Sequence, residues 1–188
     1  MPGAGHEYAA GWLDQVISTR TLPMVGDEHE EDLIMMRSTN VEHKEADCSY
    51  QPRTLPKGRP AIWPSVVVEI GSSETHGQLN NDAVKWFRIS GGLVKLVITV
   101  KASAHRITIV RYNAGGQKRS LRAVLSQRSI AQKTRTGRIT ITNGPFTIPF
   151  QELFLRAPKK GQGDIVLARD DLKDWAECIW RGIKDFKK

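Results

Sequence analysis

The sequence predicts an α/β domain with a mixed central sheet and flanking helices. Residues 65–70 read Ser-Val-Val-Val-Glu-Ile, a β-branched run between Pro64 and Gly71, which is the pattern of a buried strand. Residues 73–89 place Leu79, Ala83, Trp86 and Phe87 on one helical face, and Gly91-Gly92 ends that helix. Residues 93–100, Leu-Val-Lys-Leu-Val-Ile-Thr-Val, form a second apolar strand. A helix between two such strands is the βαβ pattern, so the pair is expected to be adjacent and parallel. An all-β sandwich is the rival fold, and the crossover helix argues against it.

The remaining elements follow in chain order. Tyr8, Trp12, Val16 and Thr19 fall at helical spacing, which predicts a short amphipathic helix over 7–19. Thr21-Leu-Pro-Met-Val-Gly-Asp ends it, and 27–32 is an acidic run suited to a solvated turn or to shielding a basic surface. Residues 33–37 and 41–50 read as strands. Residues 51–64 carry Pro52, Pro56, Pro60 and Pro64 and must be a loop. Residues 106–112 alternate as a strand, antiparallel to the one before it. Residues 121–133 and 137–142 extend the pattern as a basic β-ribbon over 114–142, with a turn at Asn143-Gly144-Pro145. A short helix at 150–155 and a loop at 157–164 precede an amphipathic helix over 170–186. Leu172, Trp175, Ala176, Ile179, Trp180 and Ile183 form its stripe, with Asp170 or Asp171 as its cap. The domain reading is therefore an acidic helix and arm over 1–32 and one α/β domain over 33–188.

Charge and composition narrow the function classes. The 188 residues carry a net charge of +8. Residues 1–50 hold ten acids against three bases, a balance of −7, and the rest of the chain is +15. A basic body points to a polyanionic partner, with a merely solvated basic surface as the bland alternative. Residues 118–138 concentrate it: Lys118, Arg119, Arg122, Arg128, Lys133, Arg135 and Arg138, with no acid among them. Phosphate contacts from such a stretch give affinity without sequence reading. No apolar run reaches the length of a membrane span, and residues 1–8 lack the features of a secretory signal. Cys48 and Cys178 are far apart, so no disulfide framework or zinc site is expected, and the default compartment is reducing: intracellular, cytoplasmic or nuclear. A second copy of the chain or another protein remains open as a partner.

The sequence lacks a phosphate-binding P-loop, a nucleophile elbow and a zinc-protease helix. The five histidines show no ligand spacing. Two acids at strand positions stand out: Asp47, in Lys44-Glu-Ala-Asp-Cys-Ser-Tyr, and Glu69, closing the 65–69 run. A carboxylate at the end of a buried strand needs a compensating partner. A hydrated divalent cation shared with a second carboxylate is one answer. An Arg partner, or the cap of the next helix, is the other.

The stretch from Trp63-Pro64-Ser65-Val-Val-Val-Glu69 through Glu74, Leu79, Asp82, Ala83 and Trp86, preceded by Asp47 and followed by Gly91-Gly92-Leu-Val-Lys-Leu-Val-Ile, resembles the PD-(D/E)XK nuclease superfamily. It is similar to the restriction-endonuclease-like domains common in cyanobacteria and to fungal proteins with the same Trp-Pro-Ser to Trp pattern. The resemblance covers about residues 41–112. It implies a restriction-endonuclease-like fold, with Asp47 and Glu69 as Mg²⁺ ligands and catalytic acids. The superfamily's lysine, two residues after the second acid, is replaced here by Gly71; Lys85 on the following helix is the candidate, with Gln78 and Lys95 as weaker stand-ins. The function implied is Mg²⁺-dependent cleavage of DNA or RNA phosphodiester bonds. The alternative is an inactive module of the same fold that binds nucleic acid or a protein partner.

Overall fold

The computed structural model describes residues 4–24, 33–36, 40–116 and 120–185. In chain order the elements are α1 (Ala4–Thr21), β1 (Leu33–Met35), β2 (Asn40–Val41), β3 (Lys44–Glu45), β4 (Cys48–Pro52), β5 (Val66–Gly71), α2 (His76–Ile89), β6 (Leu96–Ala102), β7 (Arg106–Gly115), β8 (Arg122–Lys133), β9 (Ile139–Thr142), β10 (Phe146–Ile148), α3 (Phe150–Phe154), β11 (Ile165–Leu167) and α4 (Arg169–Asp185). The acidic run at 27–32, the basic residues Lys118 and Arg119, and Phe186 lie outside the described residues.

A seven-stranded sheet in the order β1-β4-β5-β6-β7-β8-β9 forms the centre. β5 and β6 run parallel, with Val66 opposite Leu96 and Glu69 opposite Thr99, and α2 makes the crossover. The described neighbours on either side are antiparallel. The protein is thus mixed α/β with flanking helices. α2 starts where the sequence allows it: Thr75 accepts from the Gln78 N–H, and the Gln78 side chain accepts from the Thr75 N–H, a reciprocal cap. It ends at Gly91 and Gly92, whose φ values of 58° and 82° suit glycine.

Strand alternation sorts the core into two faces. Val66, Val68, Leu96, Ile98, Ile107 and Ile109 pack beneath α1 and α4. Val67, Val97, Val110 and Tyr112 pack against Ala83, Trp86 and Phe87 of α2. α1 and α4 also pack on each other: Trp12 stacks on Trp175 with centroids 5.3 Å apart, and the Trp175 indole N–H donates to the Ala9 carbonyl at 3.0 Å. At their crossing Gly182 faces the backbone of Ala4 and Gly5 faces Ile183. The start of α4 is capped by Asp171, which accepts from the Ala168 N–H and also pairs with Arg20 of α1. Among the described residues no helix is long and apolar enough to cross a membrane.

Three local expectations change. The strand expected over 41–50 divides into the hairpin β2–β3, whose two turn residues Glu42 and His43 have φ 51° and 61°, and the start of β4 at Cys48. Pro52 belongs to β4, at its end beside the outer strand β1, where a missing N–H is tolerated. Residues 114–142 extend the main sheet: β8 pairs with β7 from Gln132 opposite Arg106 to Arg122 opposite Gly115. The short pair β10–β11, three residues each, carries no periodicity that a sequence reading can use.

The helix crossing yields a paired prediction. A Cβ on Gly182 would stand 2.8 Å from the Ala4 carbonyl oxygen, so Gly182→Ala must push α1 off α4 and should cost about 1–3 kcal/mol. Gly11, also helical, has open space around it, so Gly11→Ala should stabilise by up to about 1 kcal/mol. Urea denaturation of the two variants should give opposite signs.

Candidate functional site

Glu69 places a carboxylate on the α2 face of the sheet, in register with Thr99 and among apolar neighbours. It is 8% exposed. The Lys44 ammonium lies 3.0 Å from Glu69 Oε1 and 2.8 Å from Asp82 Oδ1, and the side chains of Lys44 and Glu69 are each 10% exposed. The buried Trp86 indole N–H donates to the same Glu69 oxygen. Lys44 also sits 5.3 Å from the centroid of the Trp86 ring, in cation–π reach. Burial pushes the Glu69 carboxyl above its ordinary value, and the Lys44 charge and the Trp86 hydrogen bond only partly offset this. Burial works against the Lys44 ammonium, but Glu69 and Asp82 outweigh it and hold its pKa above the ordinary lysine value.

Asp47 stands one residue beyond the last β4–β5 pair, Cys48 opposite Val68. Its Oδ2 accepts from the Ile70 N–H at 2.5 Å, replacing a ladder bond, and its Oδ1 lies 2.8 Å from His6 Nε2 of α1. Nearby, the Tyr50 hydroxyl donates to Asp14 of α1 at 2.6 Å. Asp47 therefore ties the sheet to α1, while Glu69 is tied to α2. The Asp47 charge adds, as the smallest contribution, to the upward shift of Glu69.

The lysine expectation resolves geometrically. A Cβ at Gly71 would stand 2.8 Å from Glu74 Oε2 and 3.2 Å from Leu79, so a side chain there requires Glu74 and Leu79 to shift. Lys85 is exposed on α2. Gln78 is used in the helix cap, and Lys95 donates to the Gly92 carbonyl. The ammonium at Glu69 comes instead from Lys44, which in sequence reads only as a strand residue. As arranged, Glu69 Oε1 and both Asp47 oxygens are engaged by protein donors, so a shared divalent cation would have to displace them. Among the described residues no cluster of three or more His, Cys, Asp and Glu could hold a metal.

The basic stretch divides between surfaces. Register places Arg128, opposite Val110, on the α2 face, and Lys133 on the other, where its ammonium lies 5.5 Å from the Trp180 ring of α4. Beyond the bulge at Arg111/Tyr112, Arg122 pairs with Gly115 on the α4 side. Arg135 and Arg138 are exposed in the turn before β9. The structure gathers a different set beside the start of α2: Lys101, Arg106 and Arg128 lie near His76, whose pKa is lowered by burial and by these three charges. Lys101 donates to the Ser72 carbonyl at 2.8 Å. Lys101 and Arg106 carry no signal in sequence because three adjacent strands are needed to bring them together. Comparison of the chain with family models, curated proteins and solved structures finds no match.

The Lys44–Glu69 pair should be visible in stability. Lys44→Met leaves Glu69 buried beside Asp47 without its ammonium. The variant should lose about 2–4 kcal/mol at neutral pH. Because the Glu69 carboxyl is then held still higher, the deficit should shrink as pH falls toward about 4.3, the unfolded carboxyl value. Urea denaturation across pH 4–7 reads this directly, and a pH-independent loss would count against the ion pair.

His6 behaves in the opposite sense. Its hydrogen bond to Asp47 raises its pKa, against the lowering effect of burial. Its stabilising contribution is complete below about pH 6.5, the unfolded value, and fades as pH rises through the higher folded value. His6→Ala should cost about 1–2 kcal/mol in mildly acidic buffer and less in alkaline buffer. Denaturation midpoints at the two pH values provide the check.

Proposed function

We propose that the chain is a restriction-endonuclease-like module that holds the phosphate backbone of nucleic acid without cleaving it. The observation that carries this reading is the occupancy of Glu69 by Lys44 and Trp86, which gives the buried carboxylate a structural partner in place of a cation. The architecture supports the resemblance stated from sequence: Asp47 directly precedes β4, Glu69 lies on the neighbouring β5, and a crossover helix and a parallel strand follow. Lys101, Arg106 and Arg128, grouped by His76 at the carboxyl end of β6, supply the charge for phosphate contacts.

A second reading, Mg²⁺-dependent phosphodiester cleavage, is favoured by one feature. Two acids within electrostatic reach and a lysine 3.0 Å from one of them are the residue types that the resemblance implies.

One set of assays separates the two. Fluorescence anisotropy with single-stranded DNA, duplex DNA and RNA should show binding at low salt that weakens steeply as salt rises. On duplex DNA the slope of log K against log salt should become shallower by about 0.9 for each phosphate that goes unneutralised, in Arg106→Ala and in Arg128→Ala alike. Lys85→Ala should change nothing. Absence of binding to all three at low salt would contradict the proposal. Plasmid nicking with Mg²⁺ or Mn²⁺ should be absent; nicking that disappears with EDTA and in both Asp47→Ala and Glu69→Ala would establish the second reading.

A further inference from the structure

At the other end of the β5–β6 pair, away from Glu69, the proline-rich loop 53–65 meets α3. Two open cavities, about 390 and 440 Å³, flank this meeting point, and both are lined by Pro56 and Leu155. Their characters differ. The first is lined by Lys57, Arg59 and Lys95, with Glu152 as its acid. The second is lined mainly by apolar groups, Pro52, Leu55 and Phe154, with Arg156 and Lys159 bearing its charge.

Three further features bear on this seam. Arg59 is fixed by donating to the carbonyls of Trp63, Pro64 and Leu93 at 3.2, 3.1 and 2.7 Å, which shapes the loop. Leu155, which lines both cavities, has φ 58° and ψ 24°, a left-handed conformation unfavourable for any residue with a Cβ. It is the residue that ends α3, where a left-handed turn commonly closes a helix. Arg156 then lies over the rings of Phe150 and Phe154, at 5.0 and 5.8 Å, which stiffens the apolar wall.

We infer that the two cavities form one binding site for an amphipathic carboxylate, with its acid group at Lys57, Arg59 and Lys95 and its apolar tail along Pro52, Leu55 and Phe154. The inference is independent of the nucleic-acid reading. Cationic and apolar halves joined at a rigid seam match such a molecule better than an inorganic anion, which would leave the second cavity unfilled. They match it better than a neutral apolar compound, which would bring no counter-charge to Lys57, Arg59 and Lys95. Glu152 does not cancel the charge: three cations line the cavity with it, and burial raises its pKa against the influence of Lys95 and Arg111.

The test uses the full chain and sodium decanoate below its micellar concentration, followed by isothermal titration calorimetry, with decan-1-ol as the uncharged control. The expected result is saturable one-to-one binding of decanoate, with decanol weaker by about tenfold. Lys57→Glu combined with Lys95→Glu should weaken decanoate by about tenfold or more, because like charge then faces the acid group. Lys57 is exposed, so Lys57→Glu alone keeps the fold as a safeguard and should weaken binding severalfold. Arg128→Ala, on another part of the sheet, should leave it unchanged. Non-saturable heats with decanoate, equal affinity for decanol, or indifference to the Lys57 and Lys95 substitutions would each overturn the inference.

Discussion

Glu69 lies on the face of the sheet that carries Val67 and Val97 and packs against Trp86, with only 8% of its surface open to solvent. An ionised carboxylate in such a place is tolerated only with a partner of opposite charge and hydrogen bonds to its oxygens. Much of the surrounding structure serves that requirement. The β2–β3 hairpin delivers Lys44, α2 delivers Trp86 and Asp82, and Asp82 balances the second side of the ammonium. The hairpin itself runs through two residues, Glu42 and His43, at positive φ. Each such non-glycine residue costs roughly 1–2 kcal/mol, and the tight turn places Lys44 directly opposite Val41, pointing back toward the sheet.

The same arrangement accounts for the glycine at position 71. A side chain there would crowd Glu74 and Leu79, so both would have to move before β5 could carry a lysine on the Glu69 face. The ammonium that meets the carboxylate comes from outside β5. Lys44 supplies it from the side, at Glu69 Oε1. The pairing of Asp47 with His6 and with the Ile70 N–H has a parallel effect on the second acid. The two carboxylates are thereby drawn to opposite layers, one to α2 and one to α1.

Much of this was legible in the residues. The strand-helix-strand core was readable because Val66–Ile70 and Leu96–Val100 are apolar, β-branched runs interrupted only by Glu69 and Thr99, and a four-residue helical stripe with a glycine stop separates them. Glu69 was readable as an acid that needs a partner. The identity of the partner was not, since Lys44 is 25 positions away and its approach depends on a hairpin without glycine or asparagine at its turn. The basic stretch 118–138 was visible as composition, but alternation along β8 sends Arg128 and Lys133 to opposite faces. The cluster of Lys101, Arg106 and Arg128 exists only once three strands are in register, and no local window contains it.

The ion pair at the centre of this account is open to a double-mutant cycle with Lys44→Met, Glu69→Gln and the combined variant, read by urea denaturation at neutral pH. A buried pair that organises its surroundings should show a coupling of about 1–3 kcal/mol, with the combined variant far less destabilised than the sum of the two single changes. Effects that add to within about 0.3–0.5 kcal/mol would mean that Lys44 and Glu69 do not support one another, and the carboxylate would then need another partner.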